Sequence, residues 1–240
     1  MVEKPRKNLS FFLVISIVGL FTVLIGFAKT FFLPVAAGTF SAPPAIHIHA
    51  AFAFAWILLF VLQTSLIHFH KYFIHQTLGV LGLVVAIGIA ITMIPAGIYV
   101  VDRDLVQGAG PAAFSSILGI ITSAILFLFL VVAGLLHRNK REYHKRYMLL
   151  ATIVVLWPAW FRFRHYFPSV PRPEIWFALV LADSLIVVSW VWDKISNGMV
   201  HPVLKYMGLF IILEQSFEVI VFDNPTWRVV AKSIYLTLKN

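Results

Sequence analysis

Histidine and acidic side chains are the groups of this 240-residue sequence that could bind a metal or transfer protons, since cysteine is absent. A bound metal or haem would therefore need His, Met or carboxylate ligands. His47 and His49 form an H-x-H pair, but helix residues two apart point about 200° away from each other, so they cannot share one ion. His49, Trp56 and Gln63 are spaced by seven residues and share one helix face. We therefore expect His49 to be the better ligand candidate of the pair.

Three acidic residues occur within apolar stretches. Glu214 and Glu218 are four residues apart on one helix face, and Asp183 lies near the middle of another stretch. An ionisable group near the bilayer centre costs about 2.5–3.5 kcal/mol on insertion scales, so these groups need a partner, a proton or a metal. With residues expected at similar depth they form a first candidate site in the middle and outer half of the membrane, composed of Lys29, His49, Arg162, His165, Asp183, Glu214 and Glu218. The same set could instead be a charge-neutralised core, in which Lys29 or Arg162 pairs with a carboxylate.

A second set of polar residues is expected at the cytoplasmic ends of the helices. It consists of His75, His144, Asp193 and His201. Two histidines on separate helices at similar depth are what bis-histidine haem ligation or a divalent metal site requires. The candidate metal ligands are thus His49 and His165 near the outer side, and His75 and His144 near the inner side. Alternatively, these are interfacial histidines that anchor helix ends.

The elements that must position these residues are membrane helices, as the composition indicates. Hydrophobic residues make up 60% of the chain and charged residues 12%, and the mean hydropathy is +0.91. Soluble domains are about 45–50% apolar and about 25% charged. The net charge of +9 comes from Lys and Arg concentrated in the loops. This pattern favours a lipid bilayer with anionic headgroups over nucleic acid as the partner.

Seven segments are long and apolar enough to cross the bilayer core, which needs about 20 residues per helix. Prolines at the starts of the second, fourth, sixth and seventh segments support the boundaries, because the first helical residue needs no N–H donor. The segments are 9–33, 46–67, 75–99, 111–136, 145–166, 174–193 and 203–222. We therefore predict one domain, an all-α bundle of about seven transmembrane helices. A further helix at 225–238 is expected at the interface, with Trp227 and Tyr235 at headgroup depth.

The basic residues predict the orientation of the bundle. The loop 137–146, HRNKREYHKR, carries five Lys or Arg residues and one Glu, and short basic loops stay in the cytoplasm. Lys4, Arg6 and Lys7 are expected on the same side. Seven crossings then place the N-terminus in the cytoplasm and the C-terminus outside. We expect the loop 137–146 to contact anionic lipid headgroups.

Several local motifs resemble those of a bacterial family of small multi-pass membrane proteins. They are His47-Ile-His49 followed by Trp56 and Gln63, the Leu78-Gly79 that follows His75, the run from His144 to Leu150, Arg162, and the segment from Asp193 to Pro202. The resemblance covers most of the chain and implies a seven-helix protein of the bacterial inner membrane, without an established activity. Family members read His-Arg-Arg-Leu-Gly where this chain reads HQTLG from His75, so the basic pair is missing here. A more distant similarity is to membrane proteins of haem–copper oxidase maturation.

Three functions from different classes fit these residues. The first is a haem- or metal-binding protein in electron transfer or oxidase assembly, which requires paired histidines within ligation distance. The second is a proton-coupled carrier or intramembrane enzyme that uses the buried acids and Arg162 around a water-filled cavity. The third is a non-catalytic accessory subunit of a membrane complex, whose polar core only fixes helix packing. We expect the first of the three, with the other two as alternatives, and the residue patterns do not decide between an enzyme and a non-enzyme.

Overall fold

The computed structural model describes residues 10–240, and every regular element in this range is helical. Large apolar side chains such as Ile91, Ile125 and Val180 are exposed on the helix surfaces, as lipid-facing residues are in a membrane protein. The prediction of an all-α, multi-pass membrane protein is confirmed. Five helices are long and apolar enough to cross a membrane: α1 (Phe11–Ala36), α2 (Pro44–His68), α3 (Tyr72–Val106), α4 (Gly110–Leu136) and α6 (Glu174–Asn197).

Three more helices complete the fold. They are α5 (Arg141–Phe161), α7, in which the segment Val203–Met207 continues into Gly208–Val221, and α8 (Pro225–Lys239). The first turns of α5 read REYHKR, and α7 carries one Lys and two Glu residues. Neither α5 nor α7 is among the five helices that are long and apolar enough to cross a membrane. The seven crossings and the sides of the two termini stay predictions, and the basic residues at 4, 6 and 7 lie outside the described part of the chain.

The largest differences between the helix boundaries and the predicted segments are in α3, α5 and α6. α3 begins at Tyr72 and ends at Val106, and at 1.5 Å per residue it is about 50 Å long, so it extends beyond the hydrocarbon core. α5 ends at Phe161, five residues before the predicted boundary at 166, and Arg162–His165 form a 3₁₀ turn. α6 continues to Asn197, where Gly198 adopts a φ of 75° and ends the helix.

α5 lies in the centre of the bundle. Its leucine side chains between 149 and 156 are fully buried, and the helix packs against α1, α4 and α6. Trp56 of α2 is 4% exposed, donates to Thr152 Oγ1 of α5 at 3.2 Å and lies edge-on to Phe127 of α4. The helix face that carries Trp56 therefore points into the bundle.

The loops gather at two ends of the bundle, because helices that follow each other in the chain pack against each other and alternate in direction. The basic-loop end contains the loops 69–71, 137–140 and 198–202. The opposite end contains the loops 37–43, 107–109, 166–173 and 222–224.

α8 packs against the opposite end through its apolar face. Tyr235 is buried, lies edge-on to Phe114 with ring centroids 5.3 Å apart, and donates its hydroxyl hydrogen to Asp102. Trp227 Nε1 donates to a carbonyl oxygen of α4 at 3.1 Å. Both side chains are thus turned toward α3 and α4, and their position at headgroup depth stays a prediction.

Candidate functional site

Asp183, Glu214 and Glu218 form a group of neighbouring acids, here called the carboxyl cluster. Asp183 lies near the middle of α6 and is 5% exposed, and neither of its carboxyl oxygens has a hydrogen-bond partner among the described residues. It is close enough to Glu214 for the two charges to repel. Glu214 and Glu218 lie one helical turn apart in α7, and Glu214 Oε1 has no hydrogen-bond partner among the described residues. The three acids therefore form a connected series across two helices.

α4 packs against Glu218 of the carboxyl cluster. The hydroxyl of Thr122 donates to a carboxyl oxygen of Glu218. A Cβ atom added at Gly119 would lie 3.1 Å from Glu218 Oε2, so the missing side chain gives the carboxyl group its room. Glu218 is therefore directed at the surface of α4 and away from lipid.

No Lys or Arg within residues 10–240 compensates the carboxyl cluster. Neither Asp183 nor Glu218 receives a favourable charge from a basic group, whereas Glu214 acts unfavourably on both. A carboxylate in low-dielectric surroundings without a counter-ion is costly, and binding a proton removes that cost. The carboxyl cluster therefore has the composition of a proton-binding site.

Both helices that carry the acids begin with a π-helical segment. In α6 this segment is Glu174–Leu181, which ends two residues before Asp183, and in α7 it is Val203–Met207. A π-helical segment changes the face on which the following side chains lie, and such segments are frequent at functional sites. The segment in α6 thus sets the direction in which Asp183 points.

The basic residues of the first predicted site lie at the opposite end, apart from the carboxyl cluster. Lys29 Nζ donates to the carbonyl oxygen of His165 at 3.2 Å. Arg162 donates to Thr30 Oγ1 at 3.2 Å and to the carbonyl oxygen of Pro158 at 2.8 Å. Neither Lys29 nor Arg162 pairs with an acid of the described residues, so the charge-neutralised core is not formed. The physical reason is that Lys29 reaches the turn after α5 and Arg162 contacts Thr30 and Pro158, whereas Glu218 is directed at Thr122 of α4.

His49 contacts α3, whereas the sequence predicted a partner in the fifth or seventh segment. Its Nδ1 lies 3.0 Å from Thr92 Oγ1, and this hydroxyl donates its own hydrogen to the carbonyl oxygen of Gly88 at 2.6 Å. Nδ1 therefore carries the hydrogen and Nε2 the lone pair. His165 is exposed in the 3₁₀ turn after α5, and no contact within residues 10–240 joins it to His49. The two predicted outer metal ligands thus have separate surroundings.

His75 and His144 come together at the basic-loop end. Their ring centroids are 6.3 Å apart and the ring planes are nearly perpendicular. His144 Nδ1 donates to the carbonyl oxygen of Gly134 at 2.8 Å, so Nε2 carries its free lone pair. Nδ1 of His75 and both amide atoms of Gln63 are buried without a hydrogen-bond partner among the described residues. Within residues 10–240, however, no group of three His or acidic side chains is arranged to hold a metal ion.

Asp193, predicted in the same cytoplasmic site, binds a buried arginine instead. The side chains of Arg146 and Asp193 are 1% and 0% exposed, and the guanidinium donates to both carboxyl oxygens. Asp193 also accepts from Asn197 Nδ2 at 2.7 Å and from the backbone N–H of His201 at 2.8 Å. These four hydrogen bonds give Asp193 a structural role. His201 contributes to this role through its backbone N–H.

Arg146 is the functional group that sequence reasoning missed. It belongs to the loop 137–146 that was expected to face lipid headgroups, and for this residue that prediction is wrong. α5 begins at Arg141 and turns Arg146 into the protein. The sequence feature that indicates a helix here is the i, i+4 spacing of Glu142 and Arg146. In the structure the two side chains are ion-paired at 2.5 Å.

Comparisons with known proteins reveal no relative of this chain. No protein-family model, no curated protein and no solved structure matches it. The resemblance to a bacterial membrane family therefore stays a prediction from motifs, and the function has to be argued from the residues themselves.

Proposed function

We propose that this protein is a proton-coupled membrane carrier in which the carboxyl cluster binds and releases protons. The observation that carries the proposal is Asp183, which is buried near the middle of a membrane-spanning helix with both carboxyl oxygens unpartnered and Glu214 beside it. Ionisable residues inside membrane segments are rare and mark ion and proton pathways. If these positions only fixed helix packing, apolar residues or acids paired with cations would stabilise the fold better.

The series of acids defines a path for a proton. A proton bound at Glu218 passes to the neighbouring Glu214, one helical turn away, and from Glu214 to Asp183. Thr122 orients Glu218, since its hydroxyl occupies one of the carboxyl oxygens. Because Asp183 is buried, its proton is released in a second conformation in which α6 or α7 has moved. The π-helical segments of both helices are where such a rotation is accommodated.

The proposal places α1 to α7 across a bacterial inner membrane, with the basic-loop end in the cytoplasm. The positive charge of the loop 137–146 supports this orientation. Arg138, Lys140 and Arg141 are exposed there, and these three residues contact the anionic headgroups. Carriers commonly bind their coupling ions near the bilayer midplane, which is where this orientation puts Asp183.

A pH jump applied to protein reconstituted on a solid-supported membrane tests the proposal. Protons that bind inside the low-dielectric region displace charge, so we expect a transient current from the wild-type protein. Asp183→Asn and Glu218→Gln keep the side-chain shape and should reduce the displaced charge nearly to that of a protein-free membrane. Glu174→Gln is the matched control and should behave like wild type, because Glu174 lies at the start of α6 and pairs only with the exposed Arg172. Equal currents from all variants would contradict the proposal.

Metal or haem binding in electron transfer or oxidase assembly is a second candidate function, favoured by the approach of His75 to His144. A metal ion bound about 2.0–2.1 Å from a nitrogen of each ring fits between rings at this separation. The bond from His144 Nδ1 to a carbonyl oxygen fixes its ring in the way that metal-binding histidines usually require.

Absorption spectroscopy and metal analysis of the purified protein test this second candidate. A Soret band or a stoichiometric metal that is lost in His144→Ala would support it. His137→Ala should keep the signal, because His137 donates to a carbonyl oxygen of its own helix. A colourless, metal-free protein would contradict this second candidate and leave the proton-coupled carrier and the accessory subunit.

A further inference from the structure

We propose that the arginines at the opposite end of the bundle bind an oxyanion, a carboxylate or phosphate group, with Arg162 as its principal ligand. These arginines, here called the arginine site, are Arg162 and Arg164 in the 3₁₀ turn after α5 and Arg103 near the end of α3. This inference rests on the proposed proton-coupled carrier and names the class of ligand that it moves. The ligand is an anion that travels together with a proton.

The guanidinium of Arg162 is fixed in place without an acidic partner. Nε donates to Thr30 Oγ1 at 3.2 Å, and Nη1 donates to the carbonyl oxygen of Pro158 at 2.8 Å. The ring of Phe27 lies behind it, with 4.0 Å between the guanidinium carbon and the ring centroid. Nη2 has no hydrogen-bond partner among the described residues. Neutral oxygens and an aromatic ring hold this guanidinium in one orientation, and the N–H groups of Nη2 remain as donors. Such a guanidinium can bind an anion.

The positive charges of the arginine site are not balanced by the acids near them. Arg164 and Arg103 both act unfavourably on Arg162. Asp104 acts favourably on Arg164, but its carboxylate is already bound to Arg103 at 2.8 Å. The positive charges also act on His165. Desolvation and the charges of Arg164 and Arg162 lower the pKa of this histidine. A bound anion removes this repulsion.

The geometry favours an oxyanion over other anions. A guanidinium is a planar fork of N–H donors that matches two oxygens of one carboxylate or phosphate group, and its delocalised charge tolerates burial better than an ammonium. Phe27 restricts the fork to one plane. In a carrier, one proton on the carboxyl cluster and one monovalent anion at the arginine site move together without net charge. The carboxyl cluster thus binds the proton of an acid, and the arginine site binds the anion of the same acid.

Ligand-induced stabilisation tests the arginine site directly. The full-length protein in phosphatidylcholine nanodiscs is heated with inorganic phosphate, with succinate, or with chloride at the same ionic strength. We expect phosphate or succinate to raise the Tm in a saturable way. Arg162→Lys keeps the charge but loses the fork, and Arg162→Gln loses both, so each should weaken the apparent affinity about tenfold or more. Arg172→Gln is the control, because Arg172 lies in an exposed loop of the same end and pairs with Glu174.

Nanodiscs that contain phosphatidylglycerol separate the two sources of an oxyanion. If phosphatidylglycerol raises the Tm and free phosphate and succinate add nothing, the ligand is a lipid phosphate. If the free anions raise the Tm in phosphatidylcholine alone, the ligand is soluble. Either result supports the oxyanion site, provided that Arg162→Lys loses the effect and Arg172→Gln keeps it.

The proposal is overturned if none of the three oxyanions raises the Tm, or if Arg162→Lys responds as wild type does. Two further variants separate this failure from a failure of the proton-coupled carrier. Asp183→Asn should keep the response to the oxyanion, and Arg162→Lys should keep the current after a pH jump. A wild-type protein that gives the proton current but responds to none of the three oxyanions therefore refutes the arginine site alone.

Discussion

Asp193 neutralises a guanidinium that lies inside the protein. The side chains of Arg146 and Asp193 are both almost completely inaccessible to solvent, and removal of one partner of a buried ion pair leaves an uncompensated charge. We expect Asp193→Ala to lower the free energy of unfolding by about 3–5 kcal/mol. Denaturant-induced unfolding in mixed micelles measures this loss.

Glu142→Ala is the comparison for Asp193→Ala, because Glu142 binds Arg146 from the solvent side. Its side chain is 56% exposed, and exposed ion pairs contribute about 0–1 kcal/mol. We expect a loss within that range. Similar losses from Asp193→Ala and Glu142→Ala would show that the buried pair is not the dominant interaction of Arg146.

At the scale of helices, the contact between α4 and α7 fixes the position of Glu218. We expect Gly119→Ala to displace this carboxyl group, since the added Cβ would lie 3.1 Å from Oε2, and so to reduce the charge displaced after a pH jump. Gly79→Ala is the matched control, because nothing lies within 4 Å of a Cβ at that position. A wild-type current from Gly119→Ala would argue against Glu218 as a proton-binding group.

The docking of α8 depends on one aromatic side chain. Tyr235 is 4% exposed and binds both Phe114 and Asp102, and loss of a buried aromatic side chain costs about 3 kcal/mol or more. We expect Tyr235→Ala to speed amide hydrogen exchange in α8 about a hundredfold. Leu236→Ala, at a position that is 47% exposed, should leave exchange nearly unchanged. Equal acceleration by both variants would contradict this docking.

The same contact gives α8 a dependence on pH. Hydrogen bonds to Asp102 and Tyr235 raise the pKa of Lys239. A raised pKa means that the charged lysine favours the docked helix. This contribution is complete below the ordinary pKa of lysine and is lost as the pH rises through the raised value. Hydrogen exchange in α8, corrected for its intrinsic pH dependence, should therefore accelerate only in the alkaline range.

The helices could be predicted from the sequence because length and apolarity are local properties. Boundaries beside charged residues could not, since REYHKR reads equally well as a basic loop or as the first turns of α5. Burial of Arg146 depends on Asp193, which is 47 residues away. The acids of the carboxyl cluster stand out as charges in apolar stretches. Their neighbours Gly119 and Thr122 do not, because the contact of Thr122 with Glu218 joins residues 96 positions apart.

At the scale of the whole molecule, the orientation of the bundle can be measured by cysteine labelling. The native chain has no cysteine, so Asn139→Cys and Gln107→Cys each introduce a single thiol into an exposed position at one end. We expect a membrane-impermeant reagent added to intact cells to label Gln107→Cys and not Asn139→Cys, because basic loops stay in the cytoplasm. Both should react after permeabilisation, and the reverse pattern in intact cells would refute the orientation.

A proton held by the carboxyl cluster at neutral pH is what the carrier function requires, and infrared spectroscopy detects it directly. The C=O stretch of a protonated carboxyl group is separated from the bands of a carboxylate. We expect the reconstituted wild-type protein to show this band at neutral pH, because the buried Asp183 and the half-buried Glu214 and Glu218 have no counter-ion among the described residues. The variant with Asp183→Asn, Glu214→Gln and Glu218→Gln combined should lose it, and Glu174→Gln should keep it. A wild-type protein without the band, or a triple variant that retains it, would contradict the proposed proton-binding site.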